Sequence, residues 1–130
     1  MIIVDTSVWV DFFRGVPTPK VTQFVDLIER DAIIGLTDII LTEILQGLRT
    51  EADVRTVERR LAPVDVLRLG DLDDYRRAAS LYRAARRKGI TIRRSLDCLI
   101  ASVCVREGAT LLHADRDFDL LATCSALRVA

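Results

Sequence analysis

Ile2-Ile3-Val4-Asp5-Thr6-Ser7-Val8-Trp9 decides how the chain is read. Three consecutive β-branched residues with nothing polar between them fit a short strand covered on both faces, as strands of parallel sheets are. The run stops at Asp5. Thr6 or Ser7 then opens a helical pattern that continues to Arg14, where Gly15 and Pro17 break it. A buried strand leading straight into a helix begins an α/β fold. It also leaves a carboxylate at the strand's C-terminal end, the side on which open α/β sheets form their ligand crevice.

The same alternation runs through the rest of the chain. Thr18 caps a second helix with Pro19 at its first position, and Val21, Phe24, Val25 and Ile28 keep the spacing of one buried face. Ala32 to Leu36 reads as a second strand. Thr37 or Asp38 starts a third helix with an apolar stripe of Leu41, Ile44, Leu45 and Leu48 and with Glu43 on its flank. A polar helix from about Glu51 to Leu61 is halted by Pro63, and Val64 to Leu69 holds a third strand. Asp71 caps a long helix that carries Asp73 and Asp74 in its first turn and Arg86-Arg87-Lys88 in its last, with Gly89 beyond. Ser95 is expected to cap the next helix, which places Asp97 in its first turn ahead of a nearly all-apolar run. Thr110 to His113 is a fourth strand, Phe118 to Ala122 a short helix, and Leu127 to Val129 an edge strand. The expectation is a three-layer α/β/α sandwich with a mainly parallel sheet of four or five strands, in a single domain spanning residues 1–130.

Bulk properties narrow the function classes. Lys plus Arg and Asp plus Glu each number 19, so a net charge of zero excludes binding nucleic acid by overall charge, and any such contact must be local. Cys98, Cys104 and Cys124 make neither a CxxC pair nor an even disulfide framework, and they read as thiols of a reducing compartment. The opening apolar run is too short for a signal peptide, and Cys98 to Val105 is too short to span a bilayer. A cytoplasmic location is expected.

Asp5, Glu43, Asp97, Asp115 and Asp117 all stand at strand ends or beside apolar helix faces. Singly each has a structural explanation, as a cap, a turn residue or a macrodipole partner. Together they would repel one another by roughly 4 kcal/mol per pair at about 4 Å and an effective dielectric near 20, so the set needs protons or a cation. An all-oxygen inventory suits Mg²⁺, with Mn²⁺ able to substitute. Zinc is disfavoured because the lone His113 has no spaced partner. RNA cleavage through the 2′-hydroxyl commonly draws on a pair of histidines, which this chain lacks, whereas metal-assisted hydrolysis needs none. Ser7 has no histidine base, so Thr6 and Ser7 are read as caps or as donors that orient the metal-facing acids.

Four stretches carry a resemblance: Ile2-Ile3-Val4-Asp5-Thr6-Ser7-Val8-Trp9, Thr42-Glu43-Ile44-Leu45-Gln46-Gly47, Ser95-Leu96-Asp97-Cys98-Leu99-Ile100-Ala101 and Leu111-Leu112-His113-Ala114-Asp115-Arg116-Asp117-Phe118. In this order and spacing the chain resembles a PIN domain, and more narrowly the VapC-type toxin ribonucleases of toxin–antitoxin pairs. The resemblance implies that Asp5 and Asp97 are the principal Mg²⁺ ligands, that Glu43 and Asp115 complete the acidic pocket, and that Asp117 is a fifth member. His113 stands where the family often has threonine. A VapB-type antitoxin that places basic side chains at the pocket is implied as well, as are toxin homodimers and toxin–antitoxin hetero-oligomers.

The function expected from this reading is Mg²⁺-dependent endoribonuclease action that leaves 5′-phosphate and 3′-hydroxyl ends. RNA approaching an acidic crevice needs positive charge at the rim, for which Arg14, Arg93 and Arg94 are the candidates; Arg86, Arg87 and Lys88 equally suit a helix C-terminus. Two rivals remain. A haloacid-dehalogenase-like phosphatase also begins with a strand ending in Asp, but it needs a second Asp where Ser7 stands. An inactive RNA- or protein-binding module of the same fold has little reason to keep a full set of repelling carboxylates.

Overall fold

Ile3 and Val4, and likewise Leu111 and Leu112, are adjacent residues with no exposed surface in the computed structural model, which describes residues 1–130. Neighbouring strand residues point to opposite faces, so both faces of the sheet are covered. The strands are β1 (Ile2–Val4), β2 (Ile34–Thr37), β3 (Asp65–Leu67), β4 (Thr110–Leu112) and β5 (Arg128–Val129). All pair in parallel, in the order β3-β2-β1-β4-β5. The helices are α1 (Thr6–Arg14), α2 (Pro19–Glu29), α3 (Asp38–Gln46), α4 (Glu51–Leu61), α5 (Leu72–Arg87), α6 (Ser95–Glu107) and α7 (Arg116–Ala122). A core of 24 buried residues draws on β1, β2 and β4 and on all of these helices, with Phe24, Ile40, Ile100 and Phe118 fully enclosed.

Strand order sets the position of the crevice. From β1 the chain moves outward to β2 and β3 on one side, then returns to lay β4 and β5 on the other. The order therefore reverses between β1 and β4, and the ends of these two strands open a gap there. Register makes their ends level: Val4 pairs with Leu112, and the Asp5 N–H donates to the Leu112 carbonyl at 2.9 Å.

Several boundaries differ from the sequence expectation: α7 begins two residues early at Arg116, β4 and β5 are each one residue shorter, and three further differences have a structural cause or consequence. The second strand begins at Ile34, although the Ile33 carbonyl still accepts from Ile2 N–H at 2.9 Å. The third strand is only Asp65–Leu67, because the backbone beyond it is taken by side chains: Asp38 accepts from Leu69 N–H, Asp74 accepts from Gly70 N–H at 2.6 Å, and Arg106 donates to the Arg68 carbonyl. Ser95 does not cap α6. Arg94 holds the cap position with extended backbone and gives the helix no side-chain bond.

Candidate active site

Asp5 leaves β1 and caps α1, with its Oδ2 accepting from Ser7 N–H at 3.1 Å and from Ser7 Oγ at 2.6 Å. Ser7 Oγ in turn accepts from Ala114 N–H at 3.1 Å, which ties the end of β1 to the segment leaving β4. Thr6 Oγ1 donates to Glu43 Oε1 at 2.9 Å and so brings α3 to the same edge. A phosphatase-type second Asp at position 7 could not donate to Asp5 as the Ser7 hydroxyl does, since an ionised carboxylate only accepts. Thr6 and Ser7 are donors to the acids.

Asp97, in the first turn of α6, is fully buried. Arg94 lies across the acids from the other side, donating to Glu43 Oε2 at 2.9 Å and to Asp97 Oδ1 at 2.7 Å. Two carboxylate oxygens are left buried without any hydrogen-bond partner, Asp5 Oδ1 and Asp97 Oδ2. Burial pushes the Asp5 carboxyl above the ordinary 3.8, and Glu43 adds to the rise while the Ser7 bonds oppose it. Burial likewise raises Asp97; Arg94 opposes this, and the charges of Asp115 and Asp5 reinforce it. Each of these acids therefore senses another across the crevice.

Asp115 caps α7 through Asp117 N–H, and its Oδ1 also accepts from Arg93 at 2.9 Å. Asp117 is 5% exposed, and its Oδ2 accepts from both the backbone N–H and Nε of Arg93. This commits Asp117 to holding the segment before α6, a bond set that competes with service as a metal ligand. Among the three arginines expected at an RNA rim, Arg93 and Arg94 reach the acids, whereas Arg14 ends α1 and pairs with none of them. As placed, no three of the acids form a ready-made ligand shell. Two carboxylates with free oxygens nevertheless match a small hard ion that keeps most of its waters.

His113 is 2% exposed and packs on Phe118 with ring centroids 5.3 Å apart. Its Nδ1 accepts from Asp115 N–H, so Nε2 carries the proton that faces Asp119 at 3.1 Å. That is packing at the end of β4. A cleft of ≈ 480 Å³ lined by Gly89, Thr91, Arg93, Arg116 and Asp117 opens beside the acids. An apolar cavity of ≈ 370 Å³ among Trp9, Phe12, Phe13 and Phe24 contains none of the five.

Residues 2–123 match the family described as the PIN domain. Ribonuclease VapC11 of Mycobacterium tuberculosis is 39% identical over 131 aligned residues, covering 100% of this chain and 98% of the relative. The chain belongs to the PIN-domain family of VapC ribonucleases. VapC ribonuclease Mb1587 of Mycobacterium bovis matches this PIN domain to the same extent. Its fold is that of VapBC2 from Rickettsia felis, solved bound to a promoter DNA fragment, with a TM-score of 0.79 at 19% identity and coverage of 100% and 98% of the two chains. VapBC-5 from Mycobacterium tuberculosis superposes with a TM-score of 0.67 at 20% identity, covering 98% and 94%.

Sequence reasoning missed how the PIN domain's arginines are used. It placed Arg93 and Arg94 at the rim for RNA and did not foresee that both also pair with the carboxylates. The signal available was spacing alone: Arg94 stands three residues before Asp97, a helix-face neighbour. Its second bond, to Glu43 from 51 residues earlier, has no local signature.

Proposed function

We propose that this PIN domain is the toxin of a toxin–antitoxin pair, an endoribonuclease that hydrolyses RNA phosphodiesters with Mg²⁺ or Mn²⁺ held by Asp5 and Asp97. The observation that carries the reading is the pair of buried, unpartnered oxygens, Asp5 Oδ1 and Asp97 Oδ2, at the topological switch point of the sheet. Ser7 holds Asp5 through Oδ2 and leaves Oδ1 for the ion; Thr6 steadies Glu43, which with Asp115 reaches the ion through water. Asp117 serves by clamping Arg93. A cation bound there supplies a water of lowered pKa and positive charge for the leaving oxygen. Relatives named as ribonucleases support RNA as the substrate.

Asp5→Asn and Asp97→Asn should each lose at least about 100-fold of Mg²⁺-dependent RNA cleavage while keeping the parent circular dichroism spectrum. Full activity in either variant, measured on labelled RNA with an EDTA control, would falsify the assignment.

The VapBC complexes among the structural neighbours support a VapB-type antitoxin as partner, and an acidic crevice suits a partner's basic side chains. A homodimer is supported by the outer face of α5 and α6, which expose Leu72, Tyr75 and Leu96 and share an apolar cleft lined by Tyr75, Ala78, Tyr82 and Leu99. Light scattering should give a dimer mass for the parent and a monomer for Tyr75→Glu. A monomeric parent at micromolar concentration ends the dimer reading. The site sits in a chain with no helix long and apolar enough to cross a membrane.

A further inference from the structure

The side chain of Arg94 gives the helix it precedes no capping bond. It occupies the cap position of α6 without bonding to any helical N–H, and its guanidinium turns instead to the acids. One nitrogen serves Glu43 Oε2 on α3 and the other serves Asp97 Oδ1 on α6, so a single cation bridges two elements. No other cation pairs with either acid. The two partners are nearly or fully enclosed, with side-chain exposures of 9% and 1%, yet the Arg94 side chain itself is 48% exposed. A charge held from the solvent side by two buried carboxylates is one that water can receive when it leaves.

Building on the metal reading above, we propose that Arg94 is a tethered counter-cation that occupies Glu43 and Asp97 until a divalent ion displaces it. The physical case is one of charge. Asp5, Glu43 and Asp97 cannot all stay ionised at close range without a positive partner. In the metal-free protein Arg94 supplies that partner and keeps Glu43 and Asp97 in place. Its covalent link three residues from Asp97 gives it a high effective concentration at the site, against which the free ion must compete. Metal affinity is therefore set by an exchange of cations, and Arg94 is a positioning residue that tunes it.

The test is calorimetric titration of Mn²⁺ into the metal-free full chain, with parent and variants at one fixed pH of about 8 so that proton competition is the same for all. Arg94→Gln removes the charge and should bind Mn²⁺ about three- to thirty-fold more tightly than the parent, the span that a part-exposed charge-assisted pair corresponds to. The same variant should melt lower than the parent in EDTA and gain more than the parent on adding Mn²⁺. Arg94→Lys keeps a positive charge but not the two-nitrogen fork, and should tighten Mn²⁺ binding by less than Arg94→Gln does. Arg87→Gln, at the exposed end of α5, controls for net charge and should leave the affinity unchanged. Unchanged or weaker Mn²⁺ binding in Arg94→Gln overturns the proposal while leaving the metal reading intact. So does equal tightening in Arg94→Lys or Arg87→Gln. Absence of Mn²⁺ binding in parent and variants alike sinks the metal reading and this inference together.

Discussion

Asp5 shows what a residue at a strand end must tolerate. It is 3% exposed, one of its oxygens faces no donor, and Ser7 is its hydrogen-bonding support. Its raised pKa has a consequence for stability whose sign is fixed by linkage. A carboxyl that holds its proton more tightly when folded contributes stability fully below the unfolded value near 3.8, and loses that contribution as pH rises through the folded value. Asn at position 5 keeps the shape and cannot ionise. The stability of Asp5→Asn relative to the parent should therefore improve as pH is raised from about 4 without metal, and level off once pH has passed the folded value of Asp5. Urea denaturation from about pH 4 to about pH 8 measures it, and a difference independent of pH would show that Asp5 is not burdened by its charge. Adding Mg²⁺ should shrink the difference, because the ion stabilises only the ionised parent.

At the scale of elements, the contrast between Asp97 and Asp74 separates function from structure. Both are buried acids in a helical first turn. Burial also pushes Asp74 upward, but Gly70 N–H, Arg77 and Arg106 outweigh it and hold its carboxyl below the ordinary 3.8. Ser102 on α6 joins the network by donating to the Asp74 carbonyl at 2.7 Å, so the α5–α6 pair is pinned by a satisfied acid. A Cβ at Gly70 would stand 3.2 Å from both Arg106 and Asp74, so a larger residue would push on this network. Asp74→Ala strands two arginines and an N–H, and should cost about 3 kcal/mol without altering the acids of the crevice. A urea midpoint within error of the parent would refute it. Caps with local chemistry are legible in sequence at Thr18 and Asp71, which each accept from an N–H two or three residues on, whereas α1 is capped by Asp5 and not by Thr6 or Ser7. The cap of α6 is not legible. Ser95 is a better capping residue than Arg94 by type, but helix phase here is fixed by the long-range bridge from Arg94 to Glu43 and Asp97, which leaves no trace in local pattern.

Over the whole molecule, strand count, parallel pairing and the meeting of the acids at one edge follow from alternation and from the short apolar runs ending in Asp5 and His113. The charge arrangement does not, because it depends on which cation folds back onto which acid. That arrangement governs how RNA is held. A chain of zero net charge draws little from its overall field, so binding must come from a few local contacts and should depend weakly on salt. Arg93 is the best placed of them: its side chain is 69% exposed, it is anchored by Asp115 and Asp117, and it lines the cleft beside the acids together with exposed Arg116. If Arg93 contacts one phosphate of a single-stranded RNA, Arg93→Gln should lower the slope of log K against log salt by about 0.7 in magnitude. The measurement uses an Asp5→Asn background, in which RNA is bound and not cut. Because Arg93 also neutralises two acids, its loss should weaken binding most at low salt, where the uncovered carboxylates repel the backbone least screened. An unchanged slope would place the phosphate contact on other residues and return Arg93 to holding the α7 segment alone.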